Sequence, residues 1–317
     1  MIIGILALGL AALLLVWSRF RADVAIAADR SALGSVLLDT RCGPIEYQEV
    51  GAGAPLLVIH GSGGGHDQGM AFASAMARHG IRVIAPSRFG YLRTPMPADA
   101  SPAAQADAHV CLLDALGNQR SGVLGLSAGG PSAMQTAIRH PLRVSALVLV
   151  VPIAYKPAAQ ADSATPLPAW AEALLMRLIG SDLLFWAGLQ VARDQVIRLV
   201  LATPPELVHA GIPTEQARVH SMAQRILPVS TRARGLRDDS VLGRGLPPYP
   251  LESIRAPTLV VSARDDRFGT YAAAQYSASR IPGARFLGFE QGGHVLVGHD
   301  EEVRAAIVEL LRESARP

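Results

Sequence analysis

The sequence predicts an α/β domain: a mostly parallel central sheet with helices on both faces, interrupted once by a helical insertion. Three observations predict it. Continuous apolar runs such as Pro55-Leu56-Leu57-Val58-Ile59 and Thr258-Leu259-Val260-Val261 lack polar alternation, as strands buried on both faces require. These runs recur every ~20–30 residues with helix-forming stretches between them, the signature of a parallel sheet with crossover helices. The alternation stops after Pro152 and resumes at Pro257. Half of the 317 residues are hydrophobic and only 17% are charged, so apolar material for a core is ample.

In order, residues 35–40 and 45–50 flank Arg41-Cys42-Gly43-Pro44 and predict a hairpin. Pro55 to His60 is a buried strand, followed at once by Gly61-Ser62-Gly63-Gly64-Gly65 and a helix over 67–79. Ile81 to Pro86 is the next strand. Ser101-Pro102 supplies a cap and a first helical residue for a helix ending near Leu116. Ser121 to Leu124 is a short strand, Ala133 to His140 continues a helix, and Val144 to Val151 is a strand. Between Pro152 and Pro250 lie amphipathic segments, Trp170 to Ile179 and Leu183 to Leu201, with the Pro-rich joints Thr203-Pro204-Pro205 and Leu246-Pro247-Pro248. The chain closes with a strand to Ser262, a helix over 269–281, a strand over 284–289 and a helix over 301–312. The expected domains are therefore a core of residues 35–151 and 252–317 and an insertion of residues 152–251.

The N-terminus is different. Ile2 to Trp17 is uninterrupted apolar sequence, followed by Ser18-Arg19-Phe20-Arg21. Sixteen helical residues span roughly 24 Å, somewhat short of a ~30 Å hydrocarbon core, with Trp17 and the two arginines as an interfacial collar. Residues 1–21 are thus expected to be a transmembrane anchor or a signal segment. An uncleaved anchor is preferred, because no positive region precedes the run; Ala25-Ile26-Ala27 is the rival cleavage site. Arg19 and Arg21 directly after the run place the following domain on the cytoplasmic side, the alternative being export after cleavage. The net charge of +3 carries no basic stripe interleaved with aromatics, and Lys156 is the only lysine, so nucleic acid is not an expected partner. Cys42 and Cys111 are far apart and show no metal-ligand spacing; two free thiols are the default, and no metal is expected.

Chemistry concentrates at Gly125-Leu126-Ser127-Ala128-Gly129, a G-x-S-x-G strand–turn–helix in which a strained serine projects from the top of a sheet. A helix beginning there aims free N–H groups at a developing oxyanion. A serine nucleophile needs a base and a carboxylate that orients it, sought on loops at the carboxyl ends of later strands. Ala263-Arg264-Asp265-Asp266 follows one such strand, and Glu290-Gln291-Gly292-Gly293-His294 follows the next. The glycine-rich 61–65 loop has no following Gly-Lys-Ser/Thr, which argues against nucleotide binding. His66 is expected at the surface, His299 at a helix entry, and His60 beneath the glycine loop.

From about Val36 to Leu311 the chain resembles the α/β-hydrolase superfamily, in its esterase, haloperoxidase-like and C–C hydrolase branch. His60-Gly61-Ser62-Gly63, the elbow around Ser127, the acid run at Asp265 and Gly293-His294 occur in the family's order. The resemblance implies an α/β-hydrolase fold and a catalytic set of Ser127, Asp265 and His294, with Asp265 preferred over Asp266 by counting three residues from Ser262. It also implies an oxyanion hole from the N–H groups of Ser62 and Ala128, residues 152–251 as a lid, and no cofactor. The expected activity is that of a serine hydrolase acting through an acyl-enzyme on a carboxylic ester or related small acyl substrate. Alternatives in the same fold are C–C hydrolysis, haloperoxidase or perhydrolase-like chemistry, and a membrane-tethered ligand-binding protein without catalysis. One departure stands out: Ser87-Arg88 occupies the loop where the family usually has an aspartate.

Overall fold

The computed structural model describes residues 2–157, 177, 180–242 and 245–314. The apolar runs pair into one eight-stranded sheet of order β1-β2-β4-β3-β5-β6-β7-β8. The strands are β1 (Val36–Thr40), β2 (Gly43–Val50), β3 (Ala54–Ile59), β4 (Ile81–Pro86), β5 (Ser121–Leu126), β6 (Val144–Val150), β7 (Thr258–Ala263) and β8 (Arg285–Phe289). The hairpin makes β1–β2 and β2–β4 antiparallel, and every later pairing is parallel. Alternate side chains of the central strands feed two cores, as the two-residue strand period demands. Leu56, Val58, Leu124 and Val148 pack with Met70 and Ile307 on one face, while Leu57, Ile59, Val123 and Leu147 pack with Leu112 and Met134 on the other.

The first face carries α2 (His66–Ala73) and the last helix, α11 (Asp300–Ser314); the second carries α3 (Pro102–Ala115), α4 (Gly130–Arg139) and α10 (Thr270–Arg280). Ser101 caps α3 as its sequence suggests, its hydroxyl accepting from the Ala104 N–H at 3.2 Å. Between β6 and β7 the described insertion is helical, with α5 (Asp182–Val191), α6 (Arg193–Val200), α7 (Pro205–Ala210), α8 (Pro213–Arg225) and α9 (Ala233–Leu242). The expected single segment from Leu183 to Leu201 is two helices, broken at Ala192, whose φ of −141° and ψ of 42° are not helical. Apart from Arg177, the segment Trp170 to Ile179 lies outside the described residues.

Three sequence expectations change. The N-terminal helix, α1 (Ile2–Ala32), does not stop after the apolar run but is 31 residues long in all. Its second half is held by the protein: Phe20 and Ala27 are buried among Phe185, Trp186, Leu189 and Ile197 of the insertion. The Arg30 guanidinium donates to the Gln224 carbonyl at 2.9 Å. His66 is fully buried rather than at the surface, because its Nε2 donates to the Ser31 carbonyl of α1 at 2.8 Å. Cys42 and Cys111 are joined in a disulfide, with Cα atoms 6.0 Å apart, instead of being free thiols. The hairpin turn brings Cys42 onto α3, a pairing across 69 residues that spacing alone does not reveal.

His109 on α3 is 1% exposed against α4, its Nε2 3.3 Å from the Ser132 hydroxyl. Burial and the nearby Arg88 charge lower its pKa to about 3. The unfolded chain takes up this proton near pH 6.5 and the folded chain does not, so stability is fully present above that pH and declines as pH falls below it. Urea midpoints measured between pH 6.5 and 5 should therefore fall for the native protein and fall less steeply for His109→Gln.

Candidate active site

Strand β5 ends at Leu126, and Ser127 follows with φ of +47°, a left-handed conformation that costs a non-glycine residue on the order of 1–3 kcal/mol. The chain then passes through one tight turn, Ser127–Gly129, into α4. Both flanking glycines are sterically required. A Cβ on Gly125 would lie 2.7 Å from the Ala133 Cβ, and one on Gly129 would lie 2.5 Å from the Ile59 carbonyl oxygen. The Ile153 N–H donates to the Ser127 carbonyl at 3.0 Å and ties the elbow to the chain leaving β6.

His294 sits in the turn after β8, with Nε2 2.9 Å from the Ser127 Oγ and Nδ1 2.8 Å from an Asp266 oxygen. A carboxylate only accepts, so Nδ1 carries the proton and the Nε2 lone pair faces the serine hydroxyl. Asp266 is 4% exposed. Burial opposes its ionisation, but His294, the Thr270 hydroxyl and the Phe268 N–H outweigh it and hold its pKa below the ordinary carboxylate value. The Phe268 ring meets the imidazole edge-on at 4.8 Å between centroids, shielding it on that side.

The carboxylate facing His294 is thus Asp266, which corrects the expected Asp265. Strand β7 runs one residue further than expected, to Ala263, so the acid three residues beyond the strand is Asp266. Asp265 points elsewhere: its two oxygens accept the N–H groups of Gly292 at 3.1 Å and Gly293 at 2.8 Å. It shapes the turn that presents His294 without touching the ring.

The glycine loop after β3 passes close to the elbow. A Cβ on Gly61 would stand 3.0 Å from the Ser127 Cβ, so the residue just before Ser62 abuts the elbow, and Ala128 follows Ser127 directly in the chain. His60 supports this loop from the strand end: its Nε2 accepts the Arg88 N–H at 2.9 Å, and Nδ1 donates to the Gly61 carbonyl at 2.7 Å. Burial, with Arg88 nearby, pushes its pKa well below the usual value, which keeps the ring neutral for this paired role.

Sequence reasoning missed what holds the loop from above. Arg88, in the loop that departs from the family's pattern, grips Asp239 of α9 with two bonds of 2.9 and 2.6 Å. The same carboxylate accepts from the Ser62 hydroxyl at 2.8 Å and from the Tyr91 hydroxyl. Arg232 of the insertion, fully buried, donates to the Gly64 carbonyl at 2.6 Å and to both oxygens of Asp67. The only sequence signal was the Ser87-Arg88 departure itself; its partner lies 151 residues away.

Strands and helices wound about a mostly parallel sheet, with this polar series on loops at its carboxyl edge, are the architecture of an α/β hydrolase. The chain belongs to the α/β-hydrolase fold family, whose model matches residues 54–298. It is similar to a 2-hydroxymuconate semialdehyde hydrolase of Pseudomonas putida, 31% identical over 276 residues, or 83% of this chain and 89% of the relative. Among solved structures, an α/β-hydrolase fold protein from Nakamurella multipartita matches with a TM-score of 0.66 and 28% identity, over 88% of this chain and 99% of that one. A bacterial membrane phospholipase A shares the fold at a TM-score of 0.65 and 21% identity, over 99% of this chain and 97% of that one.

Asp239 and Arg88 are both nearly buried, so removing one charge strands the other. Asp239→Ala is expected to destabilise the protein by about 3–5 kcal/mol, read from denaturant unfolding. The double replacement Arg88→Met with Asp239→Leu should cost clearly less than Asp239→Ala alone.

Proposed function

We propose that this protein is a serine hydrolase that forms an acyl-enzyme on a carboxylic ester or related acyl substrate. The observation that carries the reading is the unbroken series from the Ser127 Oγ through His294 to the buried Asp266. Ser127 attacks the substrate carbonyl while His294 Nε2 takes its proton. The N–H groups of Ser62 and Ala128 stabilise the oxyanion, and the imidazolium, held by Asp266, returns the proton to the departing alcohol. Water, activated by the same imidazole, then releases the acid. No cofactor enters these steps. Residues 152–251 serve as the lid, because Thr203, Ile226 and Asp239 reach the loops around Ser127.

A C–C hydrolase is the second reading, supported by the name of the Pseudomonas putida relative. The ester is preferred for a specific reason. A muconate semialdehyde bears a carboxylate, and the two buried arginines above the loop, Arg88 and Arg232, are each already committed to an aspartate. Turnover of p-nitrophenyl acetate against that of 2-hydroxymuconate semialdehyde separates the two.

The N-terminal helix is proposed as a membrane anchor, its span of mean hydropathy 2.1 being long enough to cross a bilayer. Disulfides persist in oxidising compartments, so the Cys42–Cys111 bond supports a domain on the exported side, in place of the cytoplasmic side suggested by Arg19 and Arg21. Alkylation of membranes without reductant should leave both cysteines unmodified; two modified cysteines would return the domain to the cytoplasm.

Ser127→Ala should lower turnover by on the order of 10⁴- to 10⁶-fold and abolish labelling by a fluorophosphonate, with folding unchanged by circular dichroism. Asp266→Asn should cost roughly 10⁴-fold, and Asp265→Asn much less. An equal or larger loss in Asp265→Asn would falsify the assignment of Asp266.

A further inference from the structure

Helix α5 carries the sequence Asp-Leu-Leu-Phe-Trp-Ala-Gly-Leu-Gln-Val. At 100° per residue it has two apolar faces on opposite sides. Phe185, Trp186 and Leu189 form the inner face and are buried against α1 and the rest of the insertion. Leu183, Leu184 and Val191 form the outer face and are 39%, 48% and 86% exposed. The charge on this helix is Asp182, at its start, whose carboxylate is taken up by the Ser230 N–H and hydroxyl. A helix facing water carries polar residues along its outer side; this one has Gln190 beside Leu183, and its other exposed side chains there, Leu184 and Val191, are apolar.

What lies against that face follows from where the helix is held. Residues 3–17 of α1 are exposed throughout, and the first buried side chain is Phe20. The Trp17 and Phe20 rings are 5.2 Å apart, Phe20 meets Trp186 of α5 edge-on at 5.6 Å, and the Trp186 indole N–H donates to Asp23 at 2.8 Å. Three residues of helical rise separate Trp17 from Phe20, about 4.5 Å. Helix α5 is therefore clamped to α1 at the level of the Trp17 collar, where a hydrocarbon span gives way to headgroups.

We propose that α5 is a second membrane contact, lying in the interface with Leu183, Leu184 and Val191 in the boundary between headgroups and acyl chains. The partner is the bilayer that α1 enters, because Trp186 holds α5 against Phe20 and Asp23, directly after the exposed apolar half of α1. The chain leading on from α6 also reaches the site. The Ala202 carbonyl accepts from Arg267, and the Thr203 hydroxyl accepts from the Val295 N–H beside His294. On the serine hydrolase reading, on which this step rests, the substrate class is an amphiphilic acyl ester taken from the leaflet through this side of the lid.

The contact is tested without catalysis. The full-length protein in phosphatidylcholine–phosphatidylglycerol vesicles would carry an environment-sensitive NBD label at Val191→Cys, Cys42 and Cys111 remaining disulfide-bonded. A control label goes at Leu142→Cys, 83% exposed just before β6, at the opposite edge of the sheet from the site. The expected result is a blue-shifted emission at 191, quenched by doxyl-labelled lipid, and neither effect at 142. An unshifted, unquenched label at 191 overturns the proposal. So does a blue shift that doxyl lipid leaves unquenched and that disappears on dilution, which assigns the face to a second copy of the chain. For the substrate class, Leu184→Glu with Val191→Glu should lower hydrolysis of a long-chain ester embedded in vesicles by about tenfold, the scale of losing one buried aliphatic side chain. Hydrolysis of p-nitrophenyl acetate in solution should not change. If neither ester is hydrolysed by the native protein, the serine hydrolase reading fails while the label still decides the contact.

Discussion

The site depends on one steric constraint, the crowding that forces Ser127 into a left-handed conformation. Strand β5 must turn into α4 beneath the carbonyls of Ile59 and His60, and Gly129 passes too close to them for any side chain. The strain at Ser127 is therefore over-determined by its surroundings, which is the condition under which such strain persists. Because the elbow packs against the end of β3, the same contact carries the glycine loop to within reach of the serine. Geometry at Ser127 and geometry at Ser62 are not independent features.

A second layer of constraint is electrostatic. Arg88 and Arg232 are buried cations that the fold tolerates only because Asp239 and Asp67 lie in bidentate reach. Paired charges of this kind add little to net stability relative to an apolar replacement, but they are intolerant of being pulled apart. They connect the insertion to the loop bearing Ser62 through groups that lose their partners if the insertion lifts. The insertion is thus registered on the core by charge as well as by apolar contact.

The N-terminal helix extends this registration outward. Its second half belongs to the insertion's apolar cluster, and His66 ties its end to the sheet through Ser31. The second half of helix α1 is therefore packed into the domain, and α5 is held against it through Trp186.

Much of this was legible in the chain. Buried strands declare themselves as apolar runs without alternation, because both faces of a parallel sheet are covered, and the glycines around Ser127 report a backbone crossing that excludes Cβ atoms. The serine and the histidine stand in short patterns whose turn chemistry is local. What the sequence could not supply were quantities that depend on non-local packing. Choosing between Asp265 and Asp266 required knowing that β7 ends at Ala263, which pairing with β8 decides. Trp17 ends the apolar run but not the helix, because the residues beyond it are stabilised by the insertion, not by lipid-like composition. The Cys42–Cys111 bond, the burial of His66 and the pairing of Arg88 with Asp239 each join residues far apart in the chain. Local propensity and periodicity determined the elements and the elbow; only the tertiary structure decided which charges, thiols and carboxylates meet, because those meetings depend on three-dimensional distance that sequence separation does not encode.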